Sequence, residues 1–532
     1  MRGDVRPVEF VLDGRPVTVT GRGTLLAALR DELGVRSAKD GCAPQGQCGC
    51  CTVWVDGEPR VSCVTPIARV AGRSITTIDG LDAQVRDDWA EALCDTGGSQ
   101  CGFCTPGIVM RLAAARHTSD DRAEIAAGLT AHVCRCTGWQ TIVDAAVTVA
   151  SRDRRSISSG SSRDLVAASR RATIEGRSPQ RVAPDVALGA GGFADDTAPT
   201  DALVAILSPS GDWTIDSTVT EARERAGVVP GRRSTLGVSW PIELPDVRSD
   251  PSEFVRTLTT TWVEPGYLEP DAVWCRPGDD PVGPSTNGGA FGSKMSTWLR
   301  GEARRLADEH GRPMRVVMSR EDVVRHGAKR PPLAAGVHAD GSGVVYVRRT
   351  DGVVDLVRST FPDWVVHDVD MPGPPTTLER RGAVWAEIAA LVSSLRDEPS
   401  GDEVWDHVVS PDGAEAWARF DESGVHVRVR CGEILDETVL RSYCVGAAHM
   451  ALGWVRSEGL AVDGLGTVHD LTMRSFGIVR AIDTPHVSIE MLAPGDGDDP
   501  TPVNGSDAVF AAVAAAVWRH DGWPSHWPSA RR

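Results

Sequence analysis

Alternating apolar and polar residues open the chain. The stretch VEFVLDGRPVTV, residues 8–19, alternates on both sides of Asp13-Gly14, which predicts two short strands joined by a tight turn. Thr24 then precedes the apolar run LLAAL, and a threonine in this position is a good N-terminal cap for a helix. The first block is therefore predicted to be a hairpin followed by a helix.

Helical spacing of apolar residues returns further along the chain. Pro106 suits the first turn of a helix that continues through IVMRLAAA, and residues 122–133 predict a second helix. Residues 151–183 are rich in Ser and Arg and lack apolar periodicity, which predicts a solvated linker. From about Pro184 the sequence is strand-rich and punctuated by glycine, and an Ala-rich stretch at 507–518 predicts a closely packed helix.

A first group of four cysteines follows the predicted hairpin and helix. Its members are Cys42, Cys48, Cys51 and Cys63. Their spacing, C-x5-C-x2-C with eleven residues before the fourth, is close to the plant-type ferredoxin spacing C-x4-C-x2-C…C, and hairpin, helix and cysteine loop is the order of the β-grasp fold. Four thiolates must converge on two irons, so three of them have to come from one tightly curled loop. Gly41, Gly46 and Gly49 give that loop its backbone freedom, Cys63 is expected to join from a neighbouring strand, and Cys50 is interpreted as a packing residue.

A second group of four cysteines lies in SQCGFCTPG and HVCRCTGW. Its members are Cys101, Cys104, Cys134 and Cys136. One pair has C-x2-C spacing and the other C-x-C, with twenty-nine residues between the pairs. Two such quartets predict two [2Fe–2S] clusters and therefore electron transfer.

Structural zinc and disulfides are the alternatives for these thiols. Zinc sites usually show two well-separated CxxC knuckles, and a C-x-C pair splays its side chains apart unless a turn holds them, so zinc is the weaker interpretation. Disulfides are disfavoured because thirteen is an odd count, no secretory signal precedes the cysteines, and each pair is too close in sequence to staple distant segments.

Length and charge limit the class of protein. With 532 residues and 41% hydrophobic content, three or more domains with cores are expected, and no apolar run is long enough for a membrane span. The net charge of −17 argues against nucleic acid as a partner, and many free thiols favour the cytoplasm. Lysine occurs only at Lys39, Lys294 and Lys329, which we interpret as a compositional bias without functional weight.

The strings GCAPQGQCGCCTV, QCGFCTPG and CRCTGW carry a resemblance to a known family. They resemble the iron–sulfur module of the xanthine oxidase family of molybdenum hydroxylases, which includes aldehyde oxidoreductases and carbon monoxide dehydrogenases. The resemblance implies a ferredoxin-like domain over residues 1–82 that holds an outer cluster with the first quartet. It also implies a four-helix domain over residues 83–150 that holds an inner cluster, nearest the molybdopterin, with the second quartet. Gln100 matches a family residue that lies near the pterin.

Residues 184–532 resemble the molybdopterin-binding subunit of the family in separate pieces. NGGAFGSK, residues 287–294, resembles a loop against the molybdenum site, which implies Gly288, Gly289, Phe291 and Gly292 as cofactor-binding residues. Such glycines let backbone amides approach an anion and the phenyl ring gives a flat wall, although a plain tight turn is the simpler explanation of the string alone. The predicted fold class is α+β multidomain: a β-grasp [2Fe–2S] ferredoxin-like domain, a four-helix [2Fe–2S] domain, the linker at 151–183, and a shortened α+β molybdopterin-binding-like region.

Two features that the family resemblance leads us to expect are missing. No Gly-Gln-Gly segment for the pterin is found, and DGDDPTPVNGSDAVFAAVAAAVW lacks the glutamate that acts as general base in the family. Asp499 and Asp507 stand in that stretch, and each is interpreted as a loop residue or as the cap of the Ala-rich helix. The sequence therefore identifies no catalytic residue.

Two functions remain open. In the first, the chain is part of an oxidoreductase that hydroxylates a heterocycle or aldehyde at a molybdopterin and passes electrons through the inner and then the outer cluster to a flavin, with FAD only on a partner. In the second, it is an electron-transfer or scaffold subunit whose active site lies in another chain. Either function implies flavin and molybdenum subunits or a homo-oligomer as partners and a small-molecule substrate, with neither nucleic acid nor membrane involved.

Overall fold

The computed structural model describes residues 6–42, 44–114, 120–151, 163–228, 231, 236–244, 254–284, 289–294, 297–396, 404–495, 497 and 499–530. Its strands, in chain order, are β1 (Val8–Leu12), β2 (Arg15–Val19), β3 (Thr52–Val55), β4 (Glu58–Val61), β5 (Ser74–Thr76), β6 (Leu203–Leu207), β7 (Trp213–Asp216), β8 (Arg256–Thr260), β9 (Ala272–Cys275), β10 (Met314–Val317), β11 (Leu333–Val337), β12 (Gly343–Arg348), β13 (Trp364–Val369), β14 (Asp406–Val409), β15 (Glu415–Asp421), β16 (Gly424–Arg430), β17 (Val487–Met491) and β18 (His526–Trp527).

Its α-helices are α1 (Leu25–Ala27), α2 (Ala83–Thr96), α3 (Thr105–Ala114), α4 (Arg122–Gly128), α5 (Gln140–Ser151), α6 (Leu165–Gly176), α7 (Pro184–Ala187), α8 (Ala194–Thr197), α9 (Val219–Ala226), α10 (Leu299–His310), α11 (Arg320–His326), α12 (Val353–Thr360), α13 (Trp385–Ser393), α14 (Glu437–Arg456) and α15 (Gly505–His520). Helix α1 continues as one π-helical turn, Ala28–Glu32.

The predicted hairpin and helix are present at the start of the chain. β1 and β2 pair antiparallel from Val8↔Val19 to Leu12↔Arg15, and Asp13 and Gly14 have φ of 48° and 79°, the left-handed pair that a tight hairpin turn needs. The Thr24 side chain accepts a hydrogen bond from the Ala27 amide, as expected of a cap. The five strands of this sheet follow the order β2-β1-β5-β3-β4.

Helices α2 to α5 come next along the chain. Pro106 lies in the first turn of α3 as predicted, whereas the helix predicted over 122–133 ends at Gly128. The chain then turns because Leu129 and His132 donate their amides to local carbonyls, at Ala126 and Leu129 respectively. This turn delivers the segment that carries the last two cysteines.

The prediction of a solvated linker over 151–183 is wrong for α6. This helix is capped by Asp164, and it buries Ala168 and Ala172 together with the charged pair Arg171 and Glu175. Because two of its core-facing residues, Arg171 and Glu175, are charged, the sequence of α6 lacks the apolar periodicity of an amphipathic helix. These two side chains can be buried because they form an ion pair with each other at i,i+4. The rest of that prediction falls partly on residues 152–162, outside the described residues.

Three further sheets build the remainder of the described chain: β7-β6-β10-β9, β13-β12-β11-β8-β18 and β14-β15-β16-β17. The largest core cluster lies between the last two sheets and is centred on α14 and α15, whose apolar residues are almost fully buried. A second cluster combines the inner cysteines with Trp262, Leu460 and Phe476 from the second half. The cysteine-bearing helices therefore share one core with the second half.

Candidate iron–sulfur centres

The first cysteine quartet comes together as predicted. Its four thiols are 1–2% exposed; Cys42, Cys48 and Cys51 lie in the loop before β3, and Cys63 lies in the 3-10 turn Ser62–Val64 directly after β4. Cys63 therefore approaches from a turn and not from a strand. The thiols contact each other in sequence Cys48, Cys42, Cys63, Cys51. Hydrogen bonds from the Cys48 and Cys63 thiols lower the pKa of Cys42, which favours its thiolate.

The glycines around this quartet are required by the loop. Gly46 and Gly49 have φ of 67° and 75°, where side chains are strained, and a Cβ on Gly41 would lie 3.1 Å from the Cys48 sulfur. Because the loop curls this tightly, backbone amides point at sulfur: the Gln47 and Cys48 amides donate to the Cys42 sulfur at 3.4 and 3.3 Å. Hydrogen bonds to cysteine sulfurs are one of the means by which proteins set cluster potentials.

The second quartet also comes together. Cys101, Cys104, Cys134 and Cys136 are all buried, and their thiols contact in the order Cys104, Cys134, Cys136, Cys101, with 3.7 Å between the sulfurs of Cys136 and Cys101. The Cys104 and Cys136 thiols donate to the Cys134 sulfur and lower the pKa of Cys134. The turn that brings this C-x-C pair together includes Thr137, whose hydroxyl lies 3.2 Å from the Cys134 sulfur.

The two quartets fit [2Fe–2S] clusters. All thirteen cysteines have free thiols, so the disulfide alternative is not observed. In the part of the chain that the structure describes, no three His, Cys, Asp or Glu side chains surround the position of a single ion, as a zinc site would require. Each quartet brings four thiols into contact with one another, which is the number of ligands that a [2Fe–2S] cluster needs.

One segment joins the two cysteine loops. The Val133 amide donates to the Cys48 carbonyl at 3.0 Å, and the neighbouring His132 ring lies against Gly49, where a Cβ would come within 2.4 Å of it. Burial lowers the pKa of His132 to about 4, so the ring is neutral at pH 7. His132 and Val133 directly precede Cys134 in the chain, so they hold the second quartet against the first.

Arg135, between the last two cysteines, anchors the second quartet to the rest of the protein. Its guanidinium donates to both carboxylate oxygens of Glu458 at 2.6 and 2.5 Å, and its Nε donates to the Pro265 carbonyl at 2.8 Å. Both charged side chains are 1% exposed. Sequence reasoning missed this pair because 323 residues separate its members.

All three lysines of the chain are buried ion-pair partners. They are 0–2% exposed: Lys39 pairs with Asp196, Lys294 with Glu269 at 2.9 Å, and Lys329 with Glu264 at 2.9 Å. Each of the three lysines therefore has a structural role as the partner of a carboxylate. The two glutamates are those of the Glu-Pro pairs in WVEPGYLEPDAV, and Lys294 ends the string NGGAFGSK.

Glu269 gives stability a pH dependence. Burial raises its pKa to about 7 from the ordinary 4.5, in spite of Lys294. The folded state holds this proton more tightly, so the stabilisation is complete below pH 4.5 and is lost as the pH rises through about 7. We expect the free energy of unfolding, from urea titrations, to fall across this interval with a slope of at most about 1.4 kcal/mol per pH unit from this group. The fall should be smaller in Glu269→Gln and unchanged in the exposed control Glu309→Gln; equal profiles in all three proteins would refute the assignment.

The residues that the sequence placed beside a molybdopterin come together around one gap. Gln100, Gly289 and Phe291 line it with Cys101 and Cys136 of the second quartet, while Gly288 lies outside the described residues. The gap is also lined by Gly176 and Gln180, at the end of α6. Its entire empty space is about 180 Å³, it has no room for a water molecule, and small-molecule pockets measure about 300–1,000 Å³. A molybdopterin does not fit here.

Protein atoms fill the approach to Phe291. Its ring lies 3.8 Å from the Arg381 guanidinium and stands edge-on to Tyr443 at 6.1 Å. A Cβ on Gly292 would lie 1.8 Å from the Glu379 carbonyl, and one on Gly289 would lie 2.6 Å from the Arg135 Cβ. Other atoms do approach these glycines closely, but they belong to the protein itself and not to a cofactor.

Helix α6 closes the same place from the other side. The Glu175 carboxylate accepts the Gly505 and Ser506 amides at the start of α15, at 3.0 and 2.8 Å, and pairs with Arg171 at 2.5 Å. A helix N-terminus binds anions because its amides are unpaired. Here a carboxylate of the chain itself takes that position.

Asp499 and Asp507 were each expected to be a loop residue or the cap of the Ala-rich helix, and this expectation is wrong for Asp507. Asp499 is an exposed loop residue that accepts the Thr501 amide at 2.9 Å. Asp507 is not the cap of α15; Asn504 is, and Asp507 is a buried partner of Arg381 at 2.9 Å and of Arg177. An acceptor held by two guanidiniums is poorly placed to serve as a base.

Comparison with known proteins supports the cysteine chemistry. A family model described as a [2Fe-2S] binding domain matches residues 77–147. Isoquinoline 1-oxidoreductase subunit alpha of Brevundimonas diminuta is 38% identical over 140 residues, 25% of this chain and 91% of that protein. Xanthine dehydrogenase of Blastobotrys adeninivorans is 38% identical over 158 residues, 26% of this chain but only 11% of that protein. The chain thus spans a small part of this longer relative.

A likeness of fold extends beyond that amino-terminal quarter. The crystal structure of the aldehyde oxidoreductase from Desulfovibrio desulfuricans ATCC 27774 aligns over 96% of this chain and 97% of that chain, with a TM-score of 0.70 and 14% identity. At this identity the match shows a mixed α and β multidomain fold and nothing finer. In the described residues no helix has both the length and the apolar character to cross a membrane. The xanthine dehydrogenase iron-sulfur-binding subunit of Escherichia coli O157:H7 is 38% identical over 143 residues, 26% of this chain and 89% of that protein. With sequence matches over nearly all of these two subunits, the chain belongs to the xanthine oxidase family of molybdenum hydroxylases.

Proposed function

We propose that this chain is the electron-transfer component of a molybdenum-hydroxylase-type oxidoreductase whose molybdopterin is held by a partner chain. Residues 1–82 would hold the outer cluster and 83–150 the inner one, on the cysteines described above. The observation that carries the proposal is the pair of complete, buried quartets beside a gap too small for the cofactor. Residues 184–532 then act as a scaffold that keeps the fold of the molybdopterin-binding region.

When bound, each cluster takes up and releases one electron. The chain's own part is to hold four thiolates in each quartet, to keep water from them and to point amides at the sulfurs. The Val133 amide on the Cys48 carbonyl keeps the two quartets in fixed relation. Gln100, which donates to the Cys136 carbonyl at 3.1 Å and to Ser442 at 2.9 Å, joins the inner quartet to α14.

Catalysis at a molybdopterin in this chain is the second candidate, because the fold resembles that of an aldehyde oxidoreductase. The gap beside the second quartet has no space for the cofactor, and Asp507 at the start of α15 is paired with Arg381. The relatives called subunits favour a multi-subunit enzyme, so we expect a molybdenum partner and a flavin or other acceptor. The substrate is expected to be a small molecule bound by the partner.

Metal analysis separates the two candidates. Chain purified after expression with adequate iron and molybdate should hold about four Fe, as two [2Fe–2S] clusters require, and no stoichiometric molybdenum or pterin. Iron, zinc and molybdenum are measured by plasma mass spectrometry and the pterin by its fluorescent oxidation product. One molybdenum and one pterin per chain would establish the second candidate, and zinc in place of iron would refute both.

A further inference from the structure

A cavity of about 510 Å³ opens where the two cysteine loops meet the second half of the chain. Gln47 and Val133 line it, and each directly precedes a cysteine, Cys48 of the first quartet and Cys134 of the second. The gap beside Gln100, in contrast, is lined by Cys101 and Cys136, which both belong to the second quartet. Its volume lies inside the range of about 300–1,000 Å³ that small-molecule sites occupy.

The walls of this cavity are apolar and aromatic. Trp139, Leu452 and Met473 form them and are 1–4% exposed. Trp139 has a φ of 68°, a left-handed conformation that is costly for a bulky residue and is often retained at functional sites. The His132 ring, 6% exposed, also lines the cavity, and its Nδ1 has no hydrogen-bond partner among the described residues. A bound ligand or an ordered water in the cavity would satisfy this atom.

The rim of the cavity is basic, although the chain as a whole carries a net charge of −17. Arg456, Arg474 and Arg480 stand against a single carboxylate, Asp483, in the lining. Arg456 is paired with Asp521 and Arg480 with Asp483, whereas Arg474 has no ion pair among the described residues and is exposed. A cation without a counter-ion beside an apolar wall suits a flat ligand that carries one anionic group.

We propose that this cavity binds an anionic aromatic electron acceptor of the quinone class, with its ring against Trp139 and its anionic group on Arg474. The inference rests on the proposed function, because the acceptor is to be reduced by the two clusters. A quinone becomes a hydroquinone by taking two electrons and two protons. The two [2Fe–2S] clusters that the quartets would hold would each supply one electron, and solvent at the open rim would supply both protons.

Binding to the oxidised, cluster-loaded protein is the first test. Naphthoquinone sulfonate is titrated by calorimetry, with menadione as the uncharged relative of the same ring system. We expect saturable binding of one sulfonate per chain, and about tenfold weaker binding in Arg474→Ala, the effect of one charge-assisted contact. Menadione should change little in that variant, and Arg305→Ala, an exposed arginine on α10, should behave as the unmodified protein.

A second variant tests the place without changing charge. Thr130 is exposed and lines the cavity, so a tryptophan side chain in Thr130→Trp should fill the cavity and weaken the binding of both quinones. After anaerobic reduction of the protein, the rate of cluster reoxidation should reach a maximum as the concentration of naphthoquinone sulfonate rises. The concentration that gives half of this maximum should be higher in Arg474→Ala and in Thr130→Trp than in the unmodified protein. Absence of saturable binding, or equal affinities in Arg474→Ala and the unmodified protein, would overturn the proposal. Iron content and the EPR spectra of the same samples report separately on the proposed function.

Discussion

Replacing Cys104 with serine should remove the inner cluster and leave the outer one intact. Cys104 is 5% exposed and its thiol hydrogen-bonds with Cys134 of the second quartet, while the outer thiols are held by a different loop and by the turn after β4. A serine oxygen is a poor substitute for a thiolate toward iron, because soft sulfur ligands select for such clusters. We expect iron to fall from about four to about two per chain, and one of two reduced [2Fe–2S] EPR signals to disappear.

Cys50→Ser is the matched control for this experiment. Cys50 is fully buried between Cys48 and Cys51 of the first quartet; its thiol donates to the Cys48 carbonyl at 3.8 Å, and its sulfur accepts a hydrogen bond from the Cys48 thiol. Both EPR signals and the full iron content should persist in this variant. Loss of both signals in Cys104→Ser would show that the quartets are not independent sites, and loss of either in Cys50→Ser would make Cys50 a ligand.

Replacing Glu458 with glutamine should destabilise the protein by about 3–5 kcal/mol, the usual result of removing one member of a buried ion pair. The Arg135 guanidinium would keep its bond to the Pro265 carbonyl but lose the carboxylate of Glu458, at a place where both side chains are 1% exposed. Because Arg135 stands between Cys134 and Cys136, the inner cluster should also be lost more quickly to a chelator. Urea unfolding and the loss of visible absorbance measure the two effects.

An exposed pair provides the comparison for Glu458. Glu309 pairs with Arg305 at 2.8 Å on α10, with both side chains at least half exposed. Exposed pairs contribute about 0–1 kcal/mol, so Glu309→Gln should barely change unfolding and should not affect iron release. A loss of similar size in both variants would mean that the Arg135–Glu458 pair has no special weight.

The two cysteine quartets that the structure brings together could be predicted from the sequence because their information is local. Seven of the eight cysteines lie in three short strings, and the glycines that curl the first loop lie among them. The hairpin at Asp13-Gly14 and the Thr24 cap are local in the same sense, since turn and capping chemistry depends on adjacent residues. Such features keep their meaning wherever the rest of the chain goes.

Contacts between distant segments could not be predicted in this way. Arg171 and Glu175 have the charge pattern of a surface segment, and such a pattern alone does not reveal a buried pair. Their burial depends on Gly505 and Ser506, which are distant in the sequence and whose amides contact Glu175. The resemblance did place Gln100 near Gly289 and Phe291, and the structure brings them to one gap. It gave no sign that α6, predicted as linker, would occupy that space.

The three buried lysines have a practical consequence for how the folded protein meets proteases. The sequence contains no others, and each ammonium group is enclosed with a carboxylate, on three separate segments of the chain. A protease that cleaves only after lysine therefore has no accessible target in the native molecule, however many surface arginines surround it. Such a protease cleaves only molecules in which one of these segments has opened. The first cleavage produces two fragments, and their sizes identify which of the three segments opened first.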